Sequence, residues 1–466
     1  MAYAASLEKF NETFINKSGK FTHEHQKNFK LFPFVTSSSR ESIADFNQIV
    51  GGYINRIIET EPKVIEYPEL IEQMKKELSI EIGKEKIFEE VIRFLFFDKN
   101  GQLVPKNLRT MIQNDCQTGD EIRLVNYLVD VLGNTVVIQE LLNDAFNRLD
   151  QQSNVLEKSV FSYLKTEPSK KNREKIPYYK IIEIFEKVYE EDFSYIISSK
   201  NRTNEYLGTL LEFYYFVYTI QVCLHLEQFT KSDRNKCIPL YFALEWEKTS
   251  QSRLCYTEGW NKKIEPAIKK MYAHAVALEI INQTKGENAQ LDYIDLGEMA
   301  NQSKESDIAL ASEIRKLTDI YRKSKPICDC AEISKMHRMK ITAEFTNTEL
   351  KFLFDSIVCQ FINSKRLGAY QKYSKYFLDF TEKFLKSRGR SGKVLNITEE
   401  KLIFLTKIVI KNEEKIRLND VFKEFERRGV FLDNFSKEQV MKYYEKLNLI
   451  EKKSDSGDAQ YVKRIL

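Results

Sequence analysis

Hydrophobic residues recur at three- and four-residue steps along most of the chain, a spacing that predicts helices. The first such helix begins near Glu41, and further helices are predicted at about 84–97, 120–149, 153–165, 178–190, 203–230, 264–281, 307–323 and 346–386. Ile238–Trp246 is instead aromatic and branched, and a turn at 249–252 leads into Arg253–Tyr256. This pattern predicts a β-hairpin near 238–256.

The C-terminal residues have the clearest pattern. The predicted elements are a helix from Thr398, a short strand at Lys415–Leu418, a helix capped by Asn419 and ending at Gly429, a helix opened by Ser436, and strands at Leu449–Lys453 and Gln460–Leu466 around a turn at 455–458. This order is that of a winged helix. The sequence therefore predicts a mainly α protein: an N-terminal helical region at 1–165, a charged linker at 165–175, a helical region with the small hairpin at 176–385, and a winged-helix (α+β) domain at 396–466.

Charge is distributed unevenly along the chain. The formal net charge is +4, but from Lys365 onward there are 24 Lys and Arg against 15 Asp and Glu. Such a basic end is typical of a surface that faces a polyanion, although an ordinary solvated helix has the same composition. Gly (16) and Pro (9) are scarce, which excludes collagen-like and low-complexity classes.

The winged helix suggests contact with DNA, because its third helix usually enters the major groove. Basic side chains there can neutralise phosphates, and Gln can bind an adenine edge. The predicted DNA-binding residues are Arg388, Arg390 and Lys393 in KSRGRSGK, Lys437, Gln439, Lys442 and Lys446 on the third helix, and Lys452 and Lys453 at the base of the wing. Residues 396–466 have a net charge of only +2, so a protein–protein module is an open alternative.

Motifs for catalysis are absent from the sequence, which has no G-x-x-x-x-G-K-[ST], G-x-G-x-x-G or G-x-S-x-G. We expect no catalytic activity, cofactor or metal. A metal-dependent nuclease using Glu245 and Glu247, which would share a strand face, is a further alternative. Whether Cys328, Cys330 and His337 bind a metal is left open, since no second ligand pair follows at zinc spacing.

Nothing at the N-terminus has the pattern of a signal peptide, and the most apolar stretch, Phe213–Leu226, is too short to span a membrane. The seven cysteines are odd in number and scattered. A reducing cytoplasm is the expected location, without membrane association.

Several stretches of the chain carry a family resemblance. They are EKLNLIEKKSDSGDAQYVKRIL (445–466), VFKEFERRGV (421–430), FALEWEKTSQSR (242–253) and EGWNKKIEPAIKKMYAHAVALE (258–279). Together they resemble the DptG (or DndG) family, the G subunit of bacterial DNA phosphorothioation-dependent restriction systems.

The resemblance implies a cytoplasmic antiviral defence protein. It would act with an F-type ATPase and an H-type helicase-like subunit against DNA that lacks backbone sulfur, and no catalytic residues are carried over. The leading hypothesis is thus a non-catalytic DNA-binding and assembly subunit of such a complex. A pure protein–protein scaffold is the main alternative.

Overall fold

The computed structural model describes residues 3–36, 46–62, 67–78, 80–164, 166–169, 176–285, 290–324, 344–452 and 460–465. Helix accounts for 63% of the structure and strand for 9%, in small sheets of two or three strands. The mainly α fold predicted from the hydrophobic pattern is therefore confirmed.

The elements follow one another in this order. The helices are α1 Leu7–Phe14, α2 Phe46–Ile57, α3 Tyr67–Glu77, α4 Glu85–Phe96, α5 Leu108–Met111, α6 Gly119–Leu128, α7 Val136–Gln152, α8 Val155–Tyr163, α9 Phe185–Ile197, α10 Lys200–Glu227, α11 Leu254–Thr257, α12 Glu265–Lys269, α13 Met271–Ile281, α14 Tyr293–Ala300, α15 Lys304–Ser324, α16 Phe345–Ile362, α17 Leu367–Thr381, α18 Glu399–Ile410, α19 Leu418–Arg427 and α20 Asn434–Lys446. The strands are β1 Thr60–Pro62, β2 Thr166–Pro168, β3 Ala243–Leu244, β4 Leu385–Ser387, β5 Lys393–Ile397, β6 Lys415–Arg417, β7 Ile450–Lys452 and β8 Gln460–Lys463.

The chain divides into two compact units that are discontinuous in sequence. One unit, here called the body, contains residues 1–42, 176–185 and 216–466, and the other, here called the inserted unit, contains 43–175 and 186–215. The break between residues 175 and 176 falls at the end of the predicted linker. The described residues 3–36 belong to the body, whereas the sequence pattern grouped them with 43–165.

In the inserted unit, α3, α4 and α8 surround a small core of their own. Its centre consists of the fully buried side chains Met74, Ile92 and Val160. The short strands β1 and β2 pair antiparallel, with Glu61 opposite Glu167. Burial on one face of each helix holds this group together, because apolar surface removed from water is the main source of stability.

In the body, α13 is buried along its whole length. Its Glu279 carboxylate accepts backbone N–H bonds from Lys27, Asn28 and Phe29 at 2.9–3.2 Å, which attaches the N-terminal segment to the core. Helix α10, whose residues 200–215 belong to the inserted unit and 216–227 to the body, is the one described helix that is long and apolar enough to cross a membrane. Of its most apolar window, 83% is buried within the protein, as is typical of a core helix.

The winged helix is confirmed. Helix α18, β6, α19, α20, β7 and β8 follow in the predicted order, and the sheet has the order β6-β8-β7 with antiparallel pairing throughout. Thr398 caps α18 through the Lys401 N–H, and Gly429 ends the second helix with φ +81°. The predicted wing turn at 455–458 lies outside the described residues.

Two predicted caps are wrong. The second helix begins at Leu418 without a side-chain cap, so Asn419 lies inside it. The third helix begins at Asn434, and its cap is Asp433, whose carboxylate accepts the Ser436 N–H at 3.0 Å. Both errors are short shifts of a boundary, where several polar residues compete for the capping position.

The predicted β-hairpin at 238–256 does not form. Ala243–Leu244 pairs in parallel with Asn396 and Ile397, and the expected return strand is helix α11. A hairpin lies instead at β4 and β5, where Leu385 pairs with Leu395. Its turn contains Gly389 and Gly392, both in the left-handed region at φ +62° and +82°. KSRGRSGK is therefore a tight chain reversal, which glycine allows because it lacks a Cβ.

Candidate nucleic-acid interface

The structure places the predicted DNA-binding residues at three sites in the body. Lys437, Gln439, Lys442 and Lys446 lie on the third helix, α20, and Lys452 ends β7. Arg388, Arg390 and Lys393 lie on the β4–β5 hairpin. Lys453 lies outside the described residues.

One face of α20 points away from the winged-helix core. Val440 and Tyr444 are fully buried on the inner face. Gln439, Lys442 and Lys446 follow the opposite side at three- and four-residue steps, and both lysines are exposed. Within the described part of the chain, these three side chains have no hydrogen-bond or ion-pair partner, so they are available to a ligand. We call Gln439, Lys442 and Lys446 the outward stripe.

Two other predicted cations are ion-paired with glutamates within the protein. Lys437 turns toward α19, where its Nζ lies 3.0 Å from Glu426 Oε1 and over the Phe422 ring. Lys452 Nζ lies 3.0 Å from Glu445 Oε1. An ion pair of this kind lowers the charge that each lysine can offer to a phosphate.

The hairpin residues divide in the same way. Arg388 donates to the carbonyl oxygens of Leu244 and Glu247 at 3.0 and 3.2 Å. Its guanidinium therefore stabilises the fold and is not available to a phosphate. Lys393 Nζ is 2.5 Å from Glu382 Oε1. Arg390, at the tip of the turn, is exposed and has no partner among the described residues. It is the hairpin cation best placed to meet a polyanion.

The N-terminus of α20 is attached to the rest of the body by a buried ionic cluster. Arg253 donates to Glu247 Oε1 at 3.0 Å and to both oxygens of Asp433, at 2.8 and 2.5 Å. It also donates to Ser436 Oγ at 2.7 Å, and that hydroxyl lies 3.0 Å from Glu247 Oε2. The Glu247 side chain is 0% exposed and that of Arg253 is 11% exposed. We call Glu247, Arg253, Asp433 and Ser436 the junction cluster.

The two carboxyl groups of the junction cluster have opposite pKa shifts. Burial raises the pKa of Glu247, and the charge of Arg253 offsets only part of this effect. Burial also acts to raise the pKa of Asp433, but hydrogen bonds from Arg253 and the Ser436 N–H outweigh it and hold that pKa below its ordinary value. Both shifts depend on Arg253, which compensates two acidic groups at once.

The nuclease arrangement predicted for Glu245 and Glu247 is absent. The Glu247 carboxylate is enclosed by Arg253 and Ser436, whereas Glu245 is exposed, with its carboxylate 3.8 Å from Lys386 Nζ. Among the described residues, no group of three or more His, Cys, Asp or Glu side chains is placed to hold a metal ion. Cys328, Cys330 and His337 lie outside those residues.

The tyrosines of α20 do not form an exposed apolar surface. Tyr444 is fully buried, and the ring centre of Tyr443 lies 4.9 Å from that of Trp246. The exposed aromatic ring is Phe435, 42% exposed and lying under the Arg253 guanidinium. Asp433 could have been found from its position just before a helix, but nothing local links it to Arg253, 180 residues earlier.

We predict that Arg253→Met destabilises the body by about 3–5 kcal/mol, because it leaves a carboxylate buried without its counter-charge. The deficit should shrink as the pH falls from 8 to 5. A carboxyl with a raised folded-state pKa takes up a proton more readily when folded, so its destabilising charge disappears below that pKa. Asp433 acts in the same direction, since its lowered pKa stabilises the wild type only at higher pH. Urea denaturation at both pH values measures the effect.

The matched control is the double variant Glu247→Gln/Arg253→Met, which removes the uncompensated charge and should recover part of the lost stability. An Arg253→Met variant with the wild-type urea midpoint would show that the junction cluster does not hold α20 to the rest of the body. A deficit that does not change with pH would show that the loss does not come from an uncompensated carboxylate.

Comparisons with known proteins give no relative for the chain: no family model matches it, and no curated protein does. The resemblance to the phosphorothioation-dependent G subunits therefore rests on the quoted residues alone and remains a prediction.

Proposed function

We propose that this protein is a non-catalytic DNA-binding and assembly subunit of a phosphorothioation-dependent restriction complex in the bacterial cytoplasm. The DNA-binding part is supported by one observation: Lys442 and Lys446 of the outward stripe, and Arg390 of the hairpin, are exposed cations with no partner among the described residues. The assembly part is supported by the family resemblance and by the lack of ATPase motifs in the sequence.

The hairpin and α20 meet the same short segment of the body. Arg388 binds the carbonyl oxygens of Leu244 and Glu247, and Ser436 of α20 lies against the Glu247 carboxylate. The hairpin that carries the exposed Arg390 is therefore fixed to the same segment as the N-terminus of α20. Cations on two neighbouring elements suit a backbone that presents phosphates in series.

The junction cluster limits how the third helix can bind DNA. In helix-turn-helix proteins, residues at the N-terminus of the recognition helix contact base edges. Here Asp433 and Ser436 occupy that end and are engaged with Arg253. The outward stripe offers phosphate contacts and one amide, Gln439, for a base. We therefore expect binding that tolerates sequence and depends strongly on salt.

A protein–protein role for the winged helix is the second candidate, favoured by two observations. Glu438 is exposed on the same side of α20 as the two lysines, so the surface has mixed charge. Phe435 exposes 42% of its surface next to the junction cluster. A partner could use this ring as an anchor, since aromatic residues often carry the binding energy of interfaces. This role predicts no DNA binding by the isolated chain.

We predict that the triple variant Arg390→Gln/Lys442→Gln/Lys446→Gln weakens binding to duplex DNA equally for unrelated sequences. If each cation contacts one phosphate, the slope of log affinity against log salt should fall by about 2.7. Affinity of the wild type should drop at least about fortyfold between 50 and 200 mM salt, the change expected for three phosphate contacts. Fluorescence anisotropy with a labelled duplex measures both quantities.

The matched control is Lys393→Gln/Lys437→Gln/Lys452→Gln, which removes the same charge from residues that are paired with Glu382, Glu426 and Glu445. Its salt slope should stay near that of the wild type. Equal losses in both triple variants would mean that only overall charge matters, and no DNA binding at 50 mM salt would favour the scaffold.

We predict that the tagged chain, purified from its host, retains a large ATPase and a helicase-like protein. Mass spectrometry of the retained proteins tests this part of the proposal separately from DNA binding. Treatment with nuclease before elution is the control, because true subunits remain bound when bridging DNA is removed. Recovery of the chain alone would contradict the restriction-complex assignment and leave a stand-alone DNA-binding protein.

A further inference from the structure

Helix α4 of the inserted unit is apolar on two sides. Its inner side contributes Phe88, Ile92 and Phe96 to the core shared with α3 and α8. A second row of large apolar residues points to solvent; it consists of Ile87, Val91, Phe94 and Leu95, which are 58%, 41%, 84% and 38% exposed. We call these four residues the α4 face.

From these observations we propose that the α4 face binds a second copy of this chain in an antiparallel, two-fold symmetric contact. An isolated exposed hydrophobic residue needs no explanation, but a continuous row on one helix is typical of an interaction surface. The fold does not need this row, because the inner side of α4 already supplies the core of the inserted unit. The proposal does not depend on DNA binding.

The row has the symmetry that a second copy requires. Ile87, Val91 and Leu95 are spaced by four residues, so they form one ridge of the helix with Val91 at its middle. In an antiparallel pair about a two-fold axis at Val91, each Val91 meets its copy and each Ile87 meets the other Leu95. Phe94, the most exposed residue of the row, lies almost one helical turn after Val91. Its ring would fill the groove beside the ridge of the second copy.

The charges at the two ends of the ridge are complementary to those of a reversed copy. Lys99, beyond the C-terminal end, would approach the exposed Glu85 at the N-terminal end. Antiparallel packing also places the positive end of one helix dipole beside the negative end of the other.

The size of the surface suits a dimer contact. Together with Ile82, which is 96% exposed just before α4, the row exposes an area on the order of 500 Å², near the upper end for the largest apolar patch of a monomer. A stable interface buries about 800 Å² on each partner, so this row would form the apolar centre and the charged residues the rim. A dimer would carry two winged helices, and the two together would hold DNA longer than either alone.

Sedimentation equilibrium of the full chain, without DNA, tests the proposal. We expect a concentration-dependent dimer for the wild type. Val91→Glu should raise the dissociation constant about a hundredfold or more, because it places two like charges against each other at the symmetry axis. Val155→Glu is the matched control, since Val155 is a more exposed valine, 73%, on α8 of the same unit. It should dimerise like the wild type.

Cysteine crosslinking tests the symmetry itself. In an antiparallel pair, Val91→Cys lies next to its own copy and should form an intermolecular disulfide under mild oxidation, whereas Val155→Cys should not. Thermal melting checks that Val91→Glu is folded, and Phe94→Ser is the second variant if it is not.

Three results would overturn the proposal: a wild type that stays monomeric at about 100 µM, a Val91→Glu dimer as tight as the wild type, or no Val91→Cys crosslink in a chain that dimerises. A monomer whose α4 becomes protected from hydrogen exchange only when a host protein is added would assign the face to that protein instead.

Discussion

The position of the third helix of the winged helix depends on Arg253. Its guanidinium joins Glu247, in the body, to Asp433, the cap of α20, and the Ser436 hydroxyl completes the group. Removing one partner from such a buried group leaves a charge without compensation, which costs several kcal/mol. The winged helix is therefore a fixed part of the body, where a flexible tether would have allowed it to move independently.

This attachment explains why charge in the sequence is a poor guide to charge that is available for binding. The segment that contains Glu247, which holds α20 in place, also accepts hydrogen bonds from the Arg388 guanidinium through its backbone carbonyl oxygens. Lys393, Lys437 and Lys452 are paired with glutamates. Among the predicted DNA-binding cations that the structure describes, only Arg390, Lys442 and Lys446 are therefore exposed without a partner. The surface that remains suits a phosphate backbone better than base edges.

The sequence predicted the winged helix well because its signals are local. Thr398 caps the first helix three residues from its bonded N–H, and Gly429 supplies the positive φ that ends the second. The hairpin expected near 238–256 failed because β3 pairs with β5, some 150 residues away, and no short pattern encodes that choice. For the same reason the Arg253–Asp433 contact, and hence the rigid placement of α20, could not be found from spacing.

The junction cluster occupies the N-terminus of α20, and we propose that this restricts DNA binding by the winged helix to phosphate contacts. The most direct test is a competition between unrelated duplexes of equal length for the full chain at one salt concentration. We predict that all of them compete within about threefold of one another, as for non-specific binding. A duplex that binds more than about a thousandfold tighter than the others would contradict the claim, because such a preference requires base edges to be recognised.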